Sequence, residues 1–112
     1  MRNLLTRSGL VSLILLLAAC TPAMQDALAR DAAKRAVRPV LEEQFPGIPV
    51  EPATDCIIDN ASADEILTLA ADAATGPTAS TVEIVSRIAT RPEAVQCLLR
   101  EGLSLAVLTG AL

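Results

Sequence analysis

Three copies of the pattern Ser/Thr-x-x-Glu lie in the second half of this 112-residue chain, each before an apolar run. They are Ser62 to Glu65, Ser80 to Glu83 and Thr90 to Glu93. In such a capping box the hydroxyl accepts a hydrogen bond from the backbone N–H three residues on, and the carboxylate accepts one from the capping residue's own N–H. The pattern predicts three helix starts. The apolar spacing that follows predicts helices through about residue 74, through residue 89 and toward residue 108.

Further helix signals lie in the first half of the chain. Thr21 followed by Pro22 is typical of a helix N-cap and first helical position, and strong helix formers continue to about Val37. Pro39 is expected to kink or interrupt this helix near Val37 or Arg38, because proline lacks the N–H that a helix interior needs. A further turn or two of helix is expected over residues 40–45. A short helix over residues 53–60 is also predicted. We therefore expect an all-α fold, a small bundle of about four to five short helices with no convincing strand.

Two segments leave alternatives open. Residues 46–52 contain three prolines, which predicts an extended, stiff connector between helices. A peptide-like docking segment is the alternative for this stretch. The apolar C-terminal segment, residues 104–112, either packs within the bundle or exposes an interaction surface.

The N-terminus carries the three parts of a secretory signal. Arg2 and Arg7 are basic, and an apolar run of about 10 residues follows them. This run is too short for a bilayer-spanning helix, which needs about 20 apolar residues. We therefore expect residues 1–19 to be a signal peptide that is removed.

The apolar run ends in Leu17-Ala18-Ala19-Cys20, which resembles the lipobox of bacterial lipoproteins. The resemblance implies cleavage before Cys20 and lipidation of that cysteine, so that the protein is anchored in a membrane. Thr21 follows the cysteine where enteric lipoproteins of the inner membrane have Asp. The resemblance therefore favours the outer membrane, facing the periplasm. An ordinary signal peptide cut at an Ala-x-Ala-like site is the alternative.

Two further cysteines, Cys56 and Cys97, remain in the mature chain. In the oxidising periplasm that the lipobox implies, such a pair indicates a disulfide. A bond that closes a loop of about 40 residues would stabilise the fold by about 4 kcal/mol in the chain-entropy model. Two buried free thiols are the alternative.

Composition excludes several classes of function. Phe45 is the only aromatic residue, and histidine is absent. The core must be aliphatic and offers no stacking platform for bases. Histidine-dependent catalytic triads, haem with His ligands and ordinary zinc sites are also excluded. We expect no catalytic residue, no metal and no cofactor.

Charge is distributed unevenly along the chain. The net charge of −4 becomes −6 once Arg2 and Arg7 leave with the leader, which argues against a nucleic-acid partner. Arg30, Lys34 and Arg38 are spaced four residues apart and share one helical face. Because this stripe lies near Cys20, we expect it to contact anionic lipid.

These charges have alternative roles. The basic stripe could be a solvated face with Asp26–Arg30 and Asp31–Arg35 pairs. Asp55 and Asp59, also four residues apart, could in principle bind calcium or act as acid and base, although the chain lacks a calcium-loop motif.

These features predict a small membrane-anchored envelope lipoprotein that acts through protein contacts and has no catalytic chemistry. Its domain organisation would be a signal peptide (1–19), a lipidated N-terminus with a short tether (20–23) and one helical domain (24–112). The partner would be an unidentified envelope protein. Alternatives are an accessory subunit of a membrane-bound enzyme or transporter, and a binder of small apolar ligands. A hydrolase with Lys34 as base has little support, since no Ser or Thr lies near it in sequence.

Overall fold

The computed structural model describes residues 2–18 and 21–103, which form six α-helices and no strand. The helices are α1 (Arg2–Ala18), α2 (Pro22–Gln44), α3 (Val50–Asp59), α4 (Ala63–Thr75), α5 (Ala79–Ala89) and α6 (Pro92–Arg100). The side chains of residues 3–15 on α1 are exposed. Helices α2 to α6 form the bundle, so the predicted all-α fold is confirmed.

α2 begins at the residue that the sequence indicated. The Thr21 hydroxyl accepts a hydrogen bond from the Met24 N–H at 3.3 Å, and Pro22 occupies the first helical position. Proline is favourable there because the first N–H groups of a helix have no intrahelical partner.

Of the two outcomes expected at Pro39, an interruption of α2 is wrong, and the further helical turns expected after it are present. The helix continues through Pro39 and ends at Gln44. Because Pro39 has no N–H, the Arg35 carbonyl receives no helical hydrogen bond from it. Arg35 is exposed, so water can hydrogen-bond this carbonyl instead. Val37 and Val40, on either side of the proline, are almost fully buried. Their burial holds the helix together across the defect.

The proline-rich connector is shorter than predicted. α3 begins at Val50, so Pro52 lies within its first turn, where a missing N–H costs no hydrogen bond. Residues 45–49 alone form the connection, with Gly47 at a positive φ of 85° and Pro49 as the N-cap of α3. The predicted short helix is therefore present but starts three residues before the expected position.

Of the three predicted capping boxes, the first is confirmed. The Ser62 hydroxyl accepts from the Glu65 N–H at 3.2 Å, and Glu65 Oε1 accepts from the Ser62 N–H at 2.8 Å. The second is wrong, because Thr78 and not Ser80 caps α5. Thr81 Oγ1 takes the place of a glutamate there and accepts from the Thr78 N–H at 2.9 Å. The Ser/Thr-x-x-Glu pattern does not include this arrangement, because threonine replaces glutamate three residues after the N-cap.

The third predicted capping box is also wrong. Thr90 ends α5, and its hydroxyl donates to the Arg87 carbonyl at 2.8 Å. Arg91 occupies the N-cap position of α6 without a side-chain cap, and Pro92 is the first helical residue. The Arg91 guanidinium is instead engaged by Glu65.

α6 ends at Arg100 and does not continue toward residue 108. Gly102 adopts a φ of 91°, the Gly102 N–H donates to the Leu99 carbonyl, and the Leu103 N–H donates to the Leu98 carbonyl. These two bonds are those of a Schellman motif, which closes a helix C-terminus. Leu103 is then buried against the core. Residues 104–112, for which the sequence allows either packing in the bundle or an exposed surface, lie outside the described residues.

The core is aliphatic and lies where α2 packs against α3, α4 and α5. α6 packs against α3 and α5. Cys56 of α3 is bonded to Cys97 of α6, with an S–S distance of 2.02 Å and Cα atoms 5.7 Å apart, as the cysteine count predicted. This bond fixes the last helix to the second helix of the bundle.

Replacing both bridging cysteines, Cys56→Ala with Cys97→Ala, is expected to lower the free energy of unfolding by about 3 to 4 kcal/mol. The bond closes a loop of 41 residues, and its loss restores chain entropy to the unfolded state. Urea denaturation of the mature domain followed by far-UV circular dichroism measures the change. Equal stability of the variant and the oxidised wild type would contradict the structural role of the disulfide.

Candidate functional site

The basic stripe of α2 faces a row of carboxylates on α3. Pairs across this charged seam are Arg38 Nη2 to Glu51 Oε2 at 2.8 Å, Lys34 Nζ to Asp55 Oδ1 at 2.8 Å and Arg30 Nη1 to Asp59 Oδ1 at 3.9 Å. Residue numbers rise along one helix as they fall along the other, so the two helices are antiparallel. The hydrogen bond that the Lys34 ammonium donates to Asp55 raises the pKa of Lys34. The charged seam therefore orients the first two helices of the bundle relative to each other.

Both pairs proposed for a solvated stripe are also present. Asp26 contacts Arg30 at 2.9 Å, and Asp31 contacts Arg35 at 2.8 Å. The lipid contact proposed for Arg30, Lys34 and Arg38 stays a prediction. It would have to compete with carboxylates that already neutralise each of the three side chains.

The two carboxylates that could bind calcium or act as acid and base are paired with basic side chains. Asp55 and Asp59 belong to the charged seam. Within residues 2–18 and 21–103, no cluster of three metal-ligating side chains could hold a metal ion.

A second polar system joins α4 to the junction of α5 and α6. Arg91 forms two parallel hydrogen bonds to Glu65, Nη1 to Oε1 at 2.8 Å and Nη2 to Oε2 at 2.9 Å. Arg91 Nη1 also donates to the Asn60 carbonyl at 2.6 Å. Arg87 approaches Glu65 Oε2 at 3.6 Å. The Glu65 carboxylate thus caps α4 and also binds Arg91, the N-cap residue of α6.

The environment of Glu65 strongly favours its ionised form. The hydrogen bonds from Arg91, aided by the backbone N–H of Ser62, lower the pKa of Glu65 to about 2 despite the opposing effect of burial. The Glu65 side chain is only 11% exposed. A bidentate pair in such a partly dry setting is stronger than a surface ion pair.

A third polar contact lies between α4 and α5. Thr81 is fully buried, and its hydroxyl donates to Asp72 Oδ2 at 2.8 Å. The same hydroxyl accepts from the Thr78 N–H at 2.9 Å. Thr81 therefore satisfies the α5 N-terminus and links two helices at once.

Sequence reasoning found neither polar system, but one signal for the charged seam was present. The acidic residues at 51, 55 and 59 repeat the four-residue spacing of the basic residues at 30, 34 and 38. Matching periods of opposite charge on successive helices favour an antiparallel pair. The contact between Glu65 and Arg91 spans 26 residues and has no comparable sequence signal.

The end of the bundle at which α2 begins carries exposed apolar side chains. Met24 and Leu28 on α2 and Leu67 on α4 are 54%, 65% and 62% exposed. Cys20, the predicted lipidation site, lies outside the described residues, two positions before α2 begins. None of the helices described is both long enough and apolar enough to cross a membrane.

Comparison with known proteins gives no relative for this chain. No protein-family model, curated protein or solved structure matches it.

Glu65→Gln is expected to destabilise the domain by about 2 kcal/mol at pH 7, because it leaves Arg91 without its anion. The folded-state pKa of about 2 lies below the ordinary value of 4.5, so this contribution is complete above pH 4.5 and is lost as pH falls toward 2. Urea unfolding across this range measures both effects. The wild type should lose more stability than the variant as pH falls.

Glu83→Gln is the matched control, since Glu83 is an exposed glutamate on α5. It should change the free energy of unfolding at pH 7 by no more than about 0.5 kcal/mol. Parallel pH profiles for wild type and Glu65→Gln would contradict the assigned role of Glu65.

Charge reversal tests the charged seam. Lys34→Glu or Asp55→Lys alone is expected to destabilise by about 1 kcal/mol, since each creates a like-charge contact in a partly exposed pair. The double variant should recover most of this loss. A double-mutant cycle in urea, repeated in 1 M salt where the coupling should shrink, measures the interaction. Additive losses at low salt would show that the two side chains do not interact.

Proposed function

We propose that this chain is a small bacterial envelope lipoprotein, anchored through acyl chains on Cys20, that acts through protein contacts without catalytic chemistry of its own. The observation that carries the proposal is Leu17-Ala18-Ala19-Cys20 at the end of a short apolar run behind Arg2 and Arg7. Two or three acyl chains on one cysteine suffice for stable membrane anchoring.

The start of the folded domain supports this cleavage point. Thr21, the residue directly after Cys20, caps α2, which is the first helix of the bundle. The Thr21 side chain also fits the proposed location in the outer membrane, facing the periplasm.

The titratable groups with shifted pKa values form structural ion pairs, which supports a protein without catalytic activity. Lys34 and Glu65 are the described residues with displaced pKa values, and each is held in an ion pair that joins two helices. The lysine considered as a hydrolase base is thus hydrogen-bonded to Asp55 in a raised-pKa state, which opposes service as a base at neutral pH.

The apolar-ligand alternative receives no support from the core. An apolar cavity lies among Leu41, Phe45, Ile57, Leu98 and Leu103, with a volume of about 20 Å³. That volume is close to what one water molecule requires. No contact favours the accessory-subunit alternative over an independent lipoprotein.

Lipidation is tested by metabolic labelling with an alkyne fatty acid. Wild-type protein is expected to carry the label and to fractionate with membranes, whereas Cys20→Ser should be unlabelled and keep its leader. Cys97→Ser is the matched control, because it removes a cysteine outside the lipobox and should still be labelled. Equal labelling of wild type and Cys20→Ser would contradict the proposal.

The location is tested in the same experiment with Thr21→Asp. Aspartate also caps helices well, so the domain should stay folded. The wild type is expected in the outer-membrane fraction and the variant in the inner-membrane fraction. Identical fractionation of the two would contradict sorting by this residue.

A further inference from the structure

Helix α6 packs on the bundle through a small apolar face. It has nine residues, of which Ala94 and Leu98 are buried, and Leu103 is buried just after its end. A helix of this length is marginal in water and depends on its packing. Its main contacts are with α3 and α5, whereas α2 packs against α3, α4 and α5. Helices α2 to α5 therefore share a core of aliphatic side chains that does not require α6.

An apolar cavity lies in the junction between α6 and the rest of the bundle. Leu98 and Leu103 line it together with Leu41, Phe45 and Ile57, and its volume is about 20 Å³. Side chains that face a void lack part of their van der Waals contacts. Apolar packing therefore holds the C-terminal end of α6 less tightly than a filled core would.

Two connections supplement this packing. The Cys56–Cys97 disulfide fastens the middle of α6, and the pair between Arg91 and Glu65 fastens its N-cap. The two bridging cysteines differ in access, since Cys56 is 1% exposed and Cys97 is only partly buried. In thiol–disulfide exchange a thiolate attacks the sulfur that it can reach. Cys97 is therefore the cysteine at which an external thiol enters.

From these observations we propose that the disulfide is a redox-sensitive latch, which a protein dithiol opens at Cys97 to release α6 from α3 while Arg91 stays bound to Glu65. The inference goes beyond the proposed function and does not depend on the lipidation of Cys20. Release uncovers the apolar side chains of Leu98 and Leu103, which the oxidised fold buries.

The exchange runs in two steps that balance. A thiolate of the dithiol attacks Cys97 Sγ, the S–S bond breaks, and Cys56 leaves as a thiolate that takes up a proton. The second thiol of the dithiol attacks the mixed disulfide, so that Cys97 leaves in the same way and the dithiol becomes a disulfide. The dithiol thus supplies both electrons and both protons.

The pair between Arg91 and Glu65 makes the latch reversible. Arg91 lies six residues before Cys97. It also donates to the Asn60 carbonyl at 2.6 Å, four residues after Cys56. While this contact persists in the reduced protein, the Cys97 thiol stays close to Cys56. A high effective concentration of the two thiols favours closure of the bond.

Amide hydrogen exchange of the full mature protein, followed by NMR at pH 7, tests the release. Protein as purified is compared with protein reduced by dithiothreitol. The amides of residues 95–103, which bond within α6 and its C-terminal turn, are expected to exchange at least about tenfold faster after reduction, with α2 to α5 unchanged. Equal protection of α6 in both states would overturn the latch. Loss of protection throughout α2 to α5 would also overturn it, since reduction would then unfold the whole domain.

The point of entry is tested with reduced glutathione. Brief exposure of the oxidised protein is quenched with N-ethylmaleimide in denaturant, and the peptides are mapped by mass spectrometry. Glutathione is expected on Cys97 and the maleimide on Cys56. The reverse distribution would overturn entry at Cys97.

The role of Arg91 is tested by equilibrium with reduced and oxidised glutathione, which gives the effective concentration of the two thiols. Glu65→Gln is expected to lower it about tenfold, and the control Glu83→Gln should stay within about twofold of wild type. Arg91→Lys keeps the charge but loses the bidentate hydrogen bonds, so it should also lower the value if Glu65→Gln does not fold. Far-UV circular dichroism of each reduced variant reports folding. Equal values for wild type and the folded variants would overturn retention of α6 by Arg91.

Discussion

Burial of the apolar face of α2 is the interaction on which the rest of the structure depends. Residues 33, 36, 37, 40 and 41 on this face are at most 3% exposed, and α3, α4 and α5 all pack against the helix. The same burial keeps α2 helical through Pro39, where one backbone hydrogen bond is missing. Because the core contains almost no aromatic side chain, stability comes from close packing of aliphatic residues. The disulfide then holds α6, whose packing is against α3 and α5.

The two polar systems contribute differently. The charged seam is partly exposed, and exposed ion pairs contribute about 0 to 1 kcal/mol each. It orients α3 on α2 more than it stabilises the pair. Glu65 is the stronger element, because its carboxylate is nearly buried, accepts two bonds from Arg91 and caps α4. It joins segments that are distant in sequence, as the disulfide does, so the C-terminal part of the bundle depends on two long-range connections.

Local signals predicted the fold class and the cores of most helices. Thr21, Ser62 and the cysteine pair were identified correctly because each acts through a short-range rule or through the cysteine count. Prediction failed where tertiary contacts override local preference. Pro39 is tolerated because its neighbours are buried, and Thr78 uses a threonine partner that a glutamate pattern misses. The charged seam has a signal only when the charge spacings of two helices are compared with each other. The Glu65–Arg91 pair has no such signal, since nothing within one helix specifies which distant residue will meet it.

With Cys20 lipidated as proposed, α2 would link the membrane anchor to the core that it supports. α2 would then be rigid from its first turn, so that the anchor and the bundle move as one body. Backbone ¹⁵N relaxation of the lipidated protein in nanodiscs tests this most directly. The account predicts order parameters of about 0.85 for residues 24–30, equal to those in the rest of α2. Values below about 0.6 over those residues would show a flexible tether and contradict it.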